Sequence, residues 1–310
     1  MEQRRIGELS VPVVGLGCNN FGRRLDAAGT AAVVDACFDA GIDFFDTADM
    51  YGEGLSEEYL GKALRGRRDD VTLATKFGAP GSSDEGVARG GAAWIRKAVE
   101  RSLGRLGTDR IDLYQIHFPD PEVPIAETLG ALHELVQAGK VREIGCSNFG
   151  STRLHEAADA ARDGALTPFR TVQNRYSALF RDPEAKVVPA CRELGLGLIP
   201  YFPLESGLLT GKYRAGAELP EGTRLAGMPE DQRARFMADD TLARVERLRG
   251  YAEQRGHTLL ELAVSWLATS PVVSSVIAGA TKPEQVHANA AAAGWNMTDA
   301  ERAEIDELTA

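Results

Sequence analysis

Val71-Thr72-Leu73-Ala74-Thr75 and Ile111-Asp112-Leu113-Tyr114-Gln115-Ile116 are two short, β-rich apolar runs, and the stretch between them, 91–106, is amphipathic at helical period. Together they read as strand, helix, strand. The same unit recurs on both sides. Apolar runs at Val11–Gly17, Asp43–Asp46, Val141–Cys146, Thr171–Gln173, Gly197–Tyr201 and Ser274–Ala278 alternate with helical stretches at 27–40, 55–65, 124–138, 151–163, 184–194, 240–254 and 283–293. Alternation of this kind predicts parallel βαβ units. Eight such units joined by right-handed crossovers close most simply into an α/β fold of the (β/α)8 TIM-barrel type. Three segments stand outside the pattern. Residues 4–10 (Arg-Arg-Ile-Gly-Glu-Leu-Ser) suggest a small N-terminal hairpin, 203–239 form a long Gly/Pro/charge-rich loop after strand 7, and 258–268 form an extra helical segment before strand 8. A connection that long inside a compact domain is more often functional than idle. No linker divides the chain, so 1–310 is expected to be one domain.

The competing architecture is the doubly wound sheet, whose phosphate fingerprint is GxGxxG after the first strand. Here the first strand ends Gly15-Leu16-Gly17-Cys18-Asn19-Asn20-Phe21-Gly22, with the third glycine in the wrong place. No acidic residue ends a second strand in the manner ribose binding requires there.

Composition narrows the function classes. Hydrophobic residues make up 44% and charged residues 26%, enough apolar material for a core without staples. The net charge of −10 is spread along the chain. Without a basic cluster this disfavours nucleic acid and anionic membrane surfaces as partners. No run approaches the roughly 18 apolar residues of a spanning helix, and the start lacks an apolar signal core, so a cytoplasmic location is expected. Cys18, Cys37, Cys146 and Cys191 are far apart and read as reduced, buried thiols. The five histidines show no metal-ligand spacing.

In a barrel, catalytic groups come from the C-terminal strand ends. Strand two ends in Asp46, followed by Thr47-Ala48-Asp49-Met50-Tyr51; strand three ends in Lys76, strand four in His117, strand five in Ser147-Asn148, strand six in Gln173-Asn174, strand seven in Tyr201 and strand eight in Gly279. Each of the first four has an ordinary structural use when taken singly. A strand-end Asp usually caps a helix or turn, a Lys is usually solvated, a Tyr packs, and a His is satisfied structurally. Asp46, Tyr51, Lys76 and His117 together, at three successive strand ends, point instead to carbonyl chemistry. A carbonyl that accepts hydride needs a proton on its oxygen. A tyrosine with a pKa of about 10 is a weak acid, and a nearby ammonium favours its ionised form. Tyr51 is then the acid, Lys76 its tuner, Asp46 the partner that holds the lysine, and His117 the group that orients the carbonyl oxygen.

These segments resemble the aldo-keto reductase family. Asp43-Phe44-Phe45-Asp46-Thr47-Ala48-Asp49-Met50-Tyr51-Gly52 with Ser56-Glu57 is similar to the segment that carries the family's catalytic Asp and Tyr. Thr75-Lys76 and Asp112–His117 resemble its lysine and histidine strands. Gly139–Phe149, Val172-Gln173-Asn174 and Leu208–Tyr213 match further segments in order and spacing, over nearly the whole chain. The resemblance implies an NADP(H)-dependent oxidoreductase acting on small aldehydes or ketones. It implies that Ser147, Asn148 and Gln173 hold the nicotinamide carboxamide and that Tyr201 stacks on the ring. The segment Phe202, Pro203, Leu204, Ser206, Gly207, Leu208 to Lys212 would contact the pyrophosphate. Gly279, Thr281, Lys282, Gln285 and Asn289 would form the adenosine-phosphate site, where a phosphate at a helix start is physically favoured.

The chain departs from the family pattern at this last site. Many relatives carry Lys or Arg at Gly279, Arg at Gln285 and Glu at Ala288, which leaves Lys282 as the strong cation of the stretch. NADPH is therefore expected over NADH, with NADH possible. Phe118 stands where many relatives have Trp. Phe21, Met50, Tyr51 and Phe118 are expected to wall an apolar substrate pocket. The alternative function is a non-catalytic, cofactor-binding regulatory subunit, as in the potassium-channel β-subunits that resemble this family.

Overall fold

The computed structural model describes residues 1–214 and 216–309. Among the described residues, ten strands are arranged as a two-stranded antiparallel hairpin, β1 (Gln3–Ile6) and β2 (Leu9–Pro12), and an eight-stranded parallel sheet. The parallel strands are β3 (Val14–Gly17), β4 (Phe44–Asp46), β5 (Thr72–Phe77), β6 (Ile111–Ile116), β7 (Val141–Ser147), β8 (Thr171–Arg175), β9 (Gly197–Tyr201) and β10 (Val276–Gly279), with β10 beside β3. Leu198 N–H donates to Val272 O and Ser274 N–H to Leu198 O, each at 2.8 Å, which joins β9 to the approach of β10 and closes the barrel.

Helices α1 (Ala27–Asp39), α2 (Leu55–Ala63), α3 (Ala92–Leu106), α4 (Ile125–Gln137), α5 (Ser151–Asp163) and α6 (Pro183–Leu194) cover the outside where the sequence predicts them. Their ends follow local chemistry. Asp26 caps α1 by accepting from Gly29 N–H, Pro183 opens α6, and α3 and α6 stop at left-handed Gly107 and Gly195.

Three expectations change. The run Val11–Gly17 is not one strand: Val11 and Pro12 belong to the hairpin, which spans residues 3–12 rather than 4–10. Beyond β9 come α7 (Glu230–Ala234), α8 (Asp239–Gln254) and α9 (Leu259–Ala268). The segment read as extra, α9, packs on β10 and is buried along nearly its whole length, so it takes the place of the seventh barrel helix, between β9 and β10; α8 packs chiefly against α9 and the C-terminal helix. Burial decides this, because α8 buries one stripe whereas α9 is buried on nearly every side and starts with a Thr258/Glu261 capping box. After α10 (Pro283–Ala291), α11 (Asp299–Thr309) adds a helix that the sequence reading did not include.

The barrel interior has two storeys. Phe44, Ala74, Leu113, Ile199 and Ile277 form the lower one and pack against Ile6, Leu9 and Val11 of the hairpin. Burying each of these large side chains contributes on the order of 1.5–3 kcal/mol, enough to seat the hairpin as a floor. Gly7, at φ 57, turns the hairpin where any side chain would strike the Glu143 carboxylate. Two residues further along the same strands, on the same inward face, stand Asp46, Lys76, Gln115, Tyr201 and Gly279. Strand periodicity thus converts an apolar floor into a polar upper layer. Among the described residues, no helix is long and apolar enough to cross a membrane.

Candidate active site

Lys76 is fully buried. Its Nζ donates to Asp46 Oδ2 at 2.5 Å and to Thr47 O at 2.8 Å. The other carboxylate oxygen, Asp46 Oδ1, accepts from Gln115 Nε2 at 3.0 Å and Gln173 Nε2 at 2.9 Å. A buried ion pair survives only when its remaining lone pairs are satisfied, and this one has that supply. Burial alone would push the Lys76 ammonium down; Asp46, then Tyr51, outweigh it and leave its pKa above the ordinary value. Gln115 was missed as a site residue, although it lies two positions before His117 on the same face of one strand.

Tyr51 leaves β4 on a tight loop and is followed by three left-handed residues, Gly52, Glu53 and Gly54. Its ring lies 5.3 Å from Lys76 Nζ and 5.8 Å, edge-on, from the His117 imidazole. Burial pushes the phenol pKa up. Lys76 pulls it down without prevailing, so the expected net lowering by lysine is corrected: the group is a protonated phenol across the neutral range. His117 is 8% exposed, and burial, then the Lys76 charge, push its pKa down to about 3. It is therefore a neutral imidazole, with Nδ1 unpartnered inside the protein. An unfolded histidine binds a proton near pH 6.5 that the folded one refuses, so His117 costs stability as pH falls below that value. Between pH 6.5 and 4.5 the loss should reach ~2–3 kcal/mol. Urea titrations of wild type and His117→Gln at both pH values test this; a gap that does not change with pH would refute it.

Above these groups opens a cavity of about 680 Å³. It is lined by Asp46, Tyr51, His117 and Phe118, by Ser147, Asn148, Gln173 and Tyr201, by Phe202, Pro203, Leu204, Ser206, Gly207 and Lys212, and by Gly279, Thr281, Lys282, Gln285 and Asn289. Ser147 Oγ donates to Gln173 O, and Asn148, left-handed at φ 61, donates to His117 O and accepts from Tyr201 OH at 2.8 Å. The nicotinamide-side residues named from the sequence thus form one bonded set. Gln285 turns back onto Thr281 instead, accepting from its N–H at 2.7 Å. Three expected residues lie elsewhere. Phe21 is fully buried in the core between sheet and helices, Leu208 is buried beneath the 205–210 turn, and Met50 is 46% exposed on the rim; none lines the cavity. The aromatic wall is left to Tyr51, Phe118, Tyr201 and Phe202.

The sequence reading left Lys282 as the cation of this region. The structure adds Arg23 and Arg24 from the β3–α1 loop and Arg224 from the long insertion, all on the same cavity. Arg24 Nη2 donates to Gly222 O at 3.2 Å, and the Arg224 guanidinium lies 5.3 Å over the Phe202 ring. Among the described residues, none of these arginines, nor Lys212 or Lys282, forms an ion pair. Burial, then Arg24 and Arg23, push the Arg224 pKa down, as expected for like charges that lack an anion. Gly207, at φ 94, leaves room for Lys212: a Cβ there would stand 2.7 Å from its Nζ. Gly279 is exposed at the rim, and a Cβ there would lie 3.2 Å from Asn20 Nδ2 and 3.3 Å from Asn19 Oδ1. Five cations around one concavity, a pair of amide side chains and an exposed aromatic face fit a phosphorylated dinucleotide.

Known proteins agree. The Aldo/keto reductase family profile matches residues 13–310. The aldo-keto reductase YhdN of Bacillus subtilis is 36% identical, with 99% of this chain and 93% of that protein covered. A probable voltage-gated potassium channel subunit beta of Arabidopsis thaliana is 35% identical, with 93% and 90% covered. A solved aldo-keto reductase of Bacillus halodurans, in its holo form, superimposes with a TM-score of 0.80 at 34% identity over 100% of this chain and 97% of that one. The order of the strand ends, the site at one mouth and these likenesses agree: the chain belongs to the aldo/keto reductase family.

Proposed function

We propose that the protein interconverts small aldehydes or ketones and their alcohols with NADPH or NADP+, using Tyr51 as the general acid and base. The observation that carries this is the meeting of Tyr51, neutral His117 and the fully buried Lys76–Asp46 pair at the floor of one cavity. Tyr51 holds the proton that the carbonyl oxygen requires. The Lys76 charge beside it stabilises the phenolate left after donation, and Asp46 keeps that charge in place. His117, as a neutral imidazole, offers a hydrogen bond to the same oxygen without competing for the proton. A bound nicotinamide would supply the hydride, or take it in the reverse direction. Ser147, Asn148 and Gln173 would hold its carboxamide side and Tyr201 its ring face. Residues 202–212, with Arg24 and Arg224, would hold the diphosphate, and Lys282 the 2′-phosphate. A relative in Schizosaccharomyces pombe bears NADP(+) in its name, which supports this cofactor.

Lys282→Ala should lower the preference for NADPH over NADH by about fivefold, the worth of one surface ion pair near 1 kcal/mol. Dissociation constants for both cofactors measure it, and an unchanged ratio would move the reading of that phosphate to the arginines. The deciding experiment is a panel of aldehydes, ketones and alcohols followed at the NADPH absorbance band in both directions. Tight NADPH binding with no turnover on the whole panel would favour a regulatory subunit, the role named in the Arabidopsis relative.

A further inference from the structure

We propose that Arg105, on the last turn of α3, is a positioning residue for Tyr51. It bonds the near end of the segment that carries the tyrosine and packs against the far end, and the inference rests on the reading of Tyr51 as the acid. The main chain of Asp49 is held from two sides. Its N–H donates to Lys76 O at 3.0 Å, and its carbonyl accepts from Arg105 Nη1 at 3.0 Å. Two residues later comes Tyr51, so the peptide that aims the phenol is anchored to the main chain of the lysine beside it. Beyond Tyr51 the chain reverses through three left-handed residues and passes Arg105 again. A Cβ at Gly54 would stand 2.7 Å from Arg105 Nη1. Glu53, a non-glycine residue at φ 58, holds a conformation that needs outside support.

Arg105 is itself fixed. Its Nη1 also reaches Glu57 Oε2 at 2.9 Å, and the fully buried Glu57 accepts from Thr75 Oγ1 at 2.6 Å through its other oxygen. Thr75 precedes Lys76 on β5 and faces the opposite side of the sheet. The network therefore ties α2, α3 and β5 around the loop, behind the barrel wall. Asp49 adds a second buried carboxyl, with Oδ1 unpartnered; burial, then Glu57, push its pKa up to about 7 against the pull of Arg105. One guanidinium thus bonds both the Glu57 carboxylate and the loop carbonyl of Asp49.

Arg105→Met alone would strand the buried Glu57 charge and destabilise the fold, so the test is the pair Arg105→Met/Glu57→Gln, which removes both charges. Four quantities are read: the urea midpoint, kcat on the best carbonyl substrate, the NADPH dissociation constant, and hydrogen exchange of amides 47–54. The expected result is a midpoint near wild type, kcat down about 10- to 100-fold with the NADPH dissociation constant unchanged, and faster exchange in 47–54. Recovery of kcat along with stability, or unchanged exchange in that segment, would make Arg105 a purely structural ion-pair partner and overturn the proposal. A wild type without turnover sinks the reductase reading instead, and the exchange data then decide whether Arg105 holds the loop.

Discussion

Tyr51→Phe should reduce carbonyl turnover by roughly 10²–10⁴-fold, the usual worth of a positioned general acid. The substitution removes one oxygen and leaves the ring against Lys76 and His117. Cofactor affinity should stay within about twofold, because only an interaction of the transition state is lost. The wild-type pH profile carries a matching signature. Burial holds the phenol pKa above its ordinary value, so reduction should persist through mildly alkaline pH and decline only where the phenol ionises. Steady-state kinetics from pH 6 upward, on both proteins, check this. Near-normal turnover in Tyr51→Phe would remove the tyrosine from its role.

The second large effect is on the buried pair beneath it. Lys76→Met should destabilise the protein by ~3–5 kcal/mol, because it leaves the Asp46 carboxylate uncompensated in the interior. Adding Asp46→Asn should return most of that stability, since a neutral amide oxygen can still accept from Gln115 and Gln173. Activity should return in neither variant, because the charge that receives the phenolate is gone. Urea midpoints and kcat, measured side by side, separate the two losses. A double variant that regains turnover would show that Lys76 serves the fold alone.

The barrel and its four central residues were legible because both obey short-range rules. Alternation every two residues announces a strand and also says which side chains share its inner face. The floor-to-mouth sequence Phe44/Asp46, Ala74/Lys76 and Leu113/Gln115/His117 follows from counting. Gln115 follows from the same count, although it lies one step inside the strand end that His117 marks. Other features depended on distance in the chain. Arg23 and Arg24 look like an ordinary surface pair until the fold brings Arg224 from two hundred residues away. Phe21 and Met50 show the reverse error: apolar residues next to a site in sequence point to the core or to solvent according to packing that no local pattern encodes. The exchange of α8 and α9 has a similar origin, since both are amphipathic enough to serve and only burial on all sides distinguishes the inner one.

The hairpin that floors the barrel also governs traffic. With Ile6, Leu9 and Val11 stoppering the lower end, everything that reaches Tyr51 and His117 enters and departs across one rim. Two reactants sharing a dead-end passage must queue. On the function proposed above, the cofactor, whose groups would run from Gln173 out to Asn289, would arrive first and leave last. The turnover clock is then set at the doorway as much as at the bond being made.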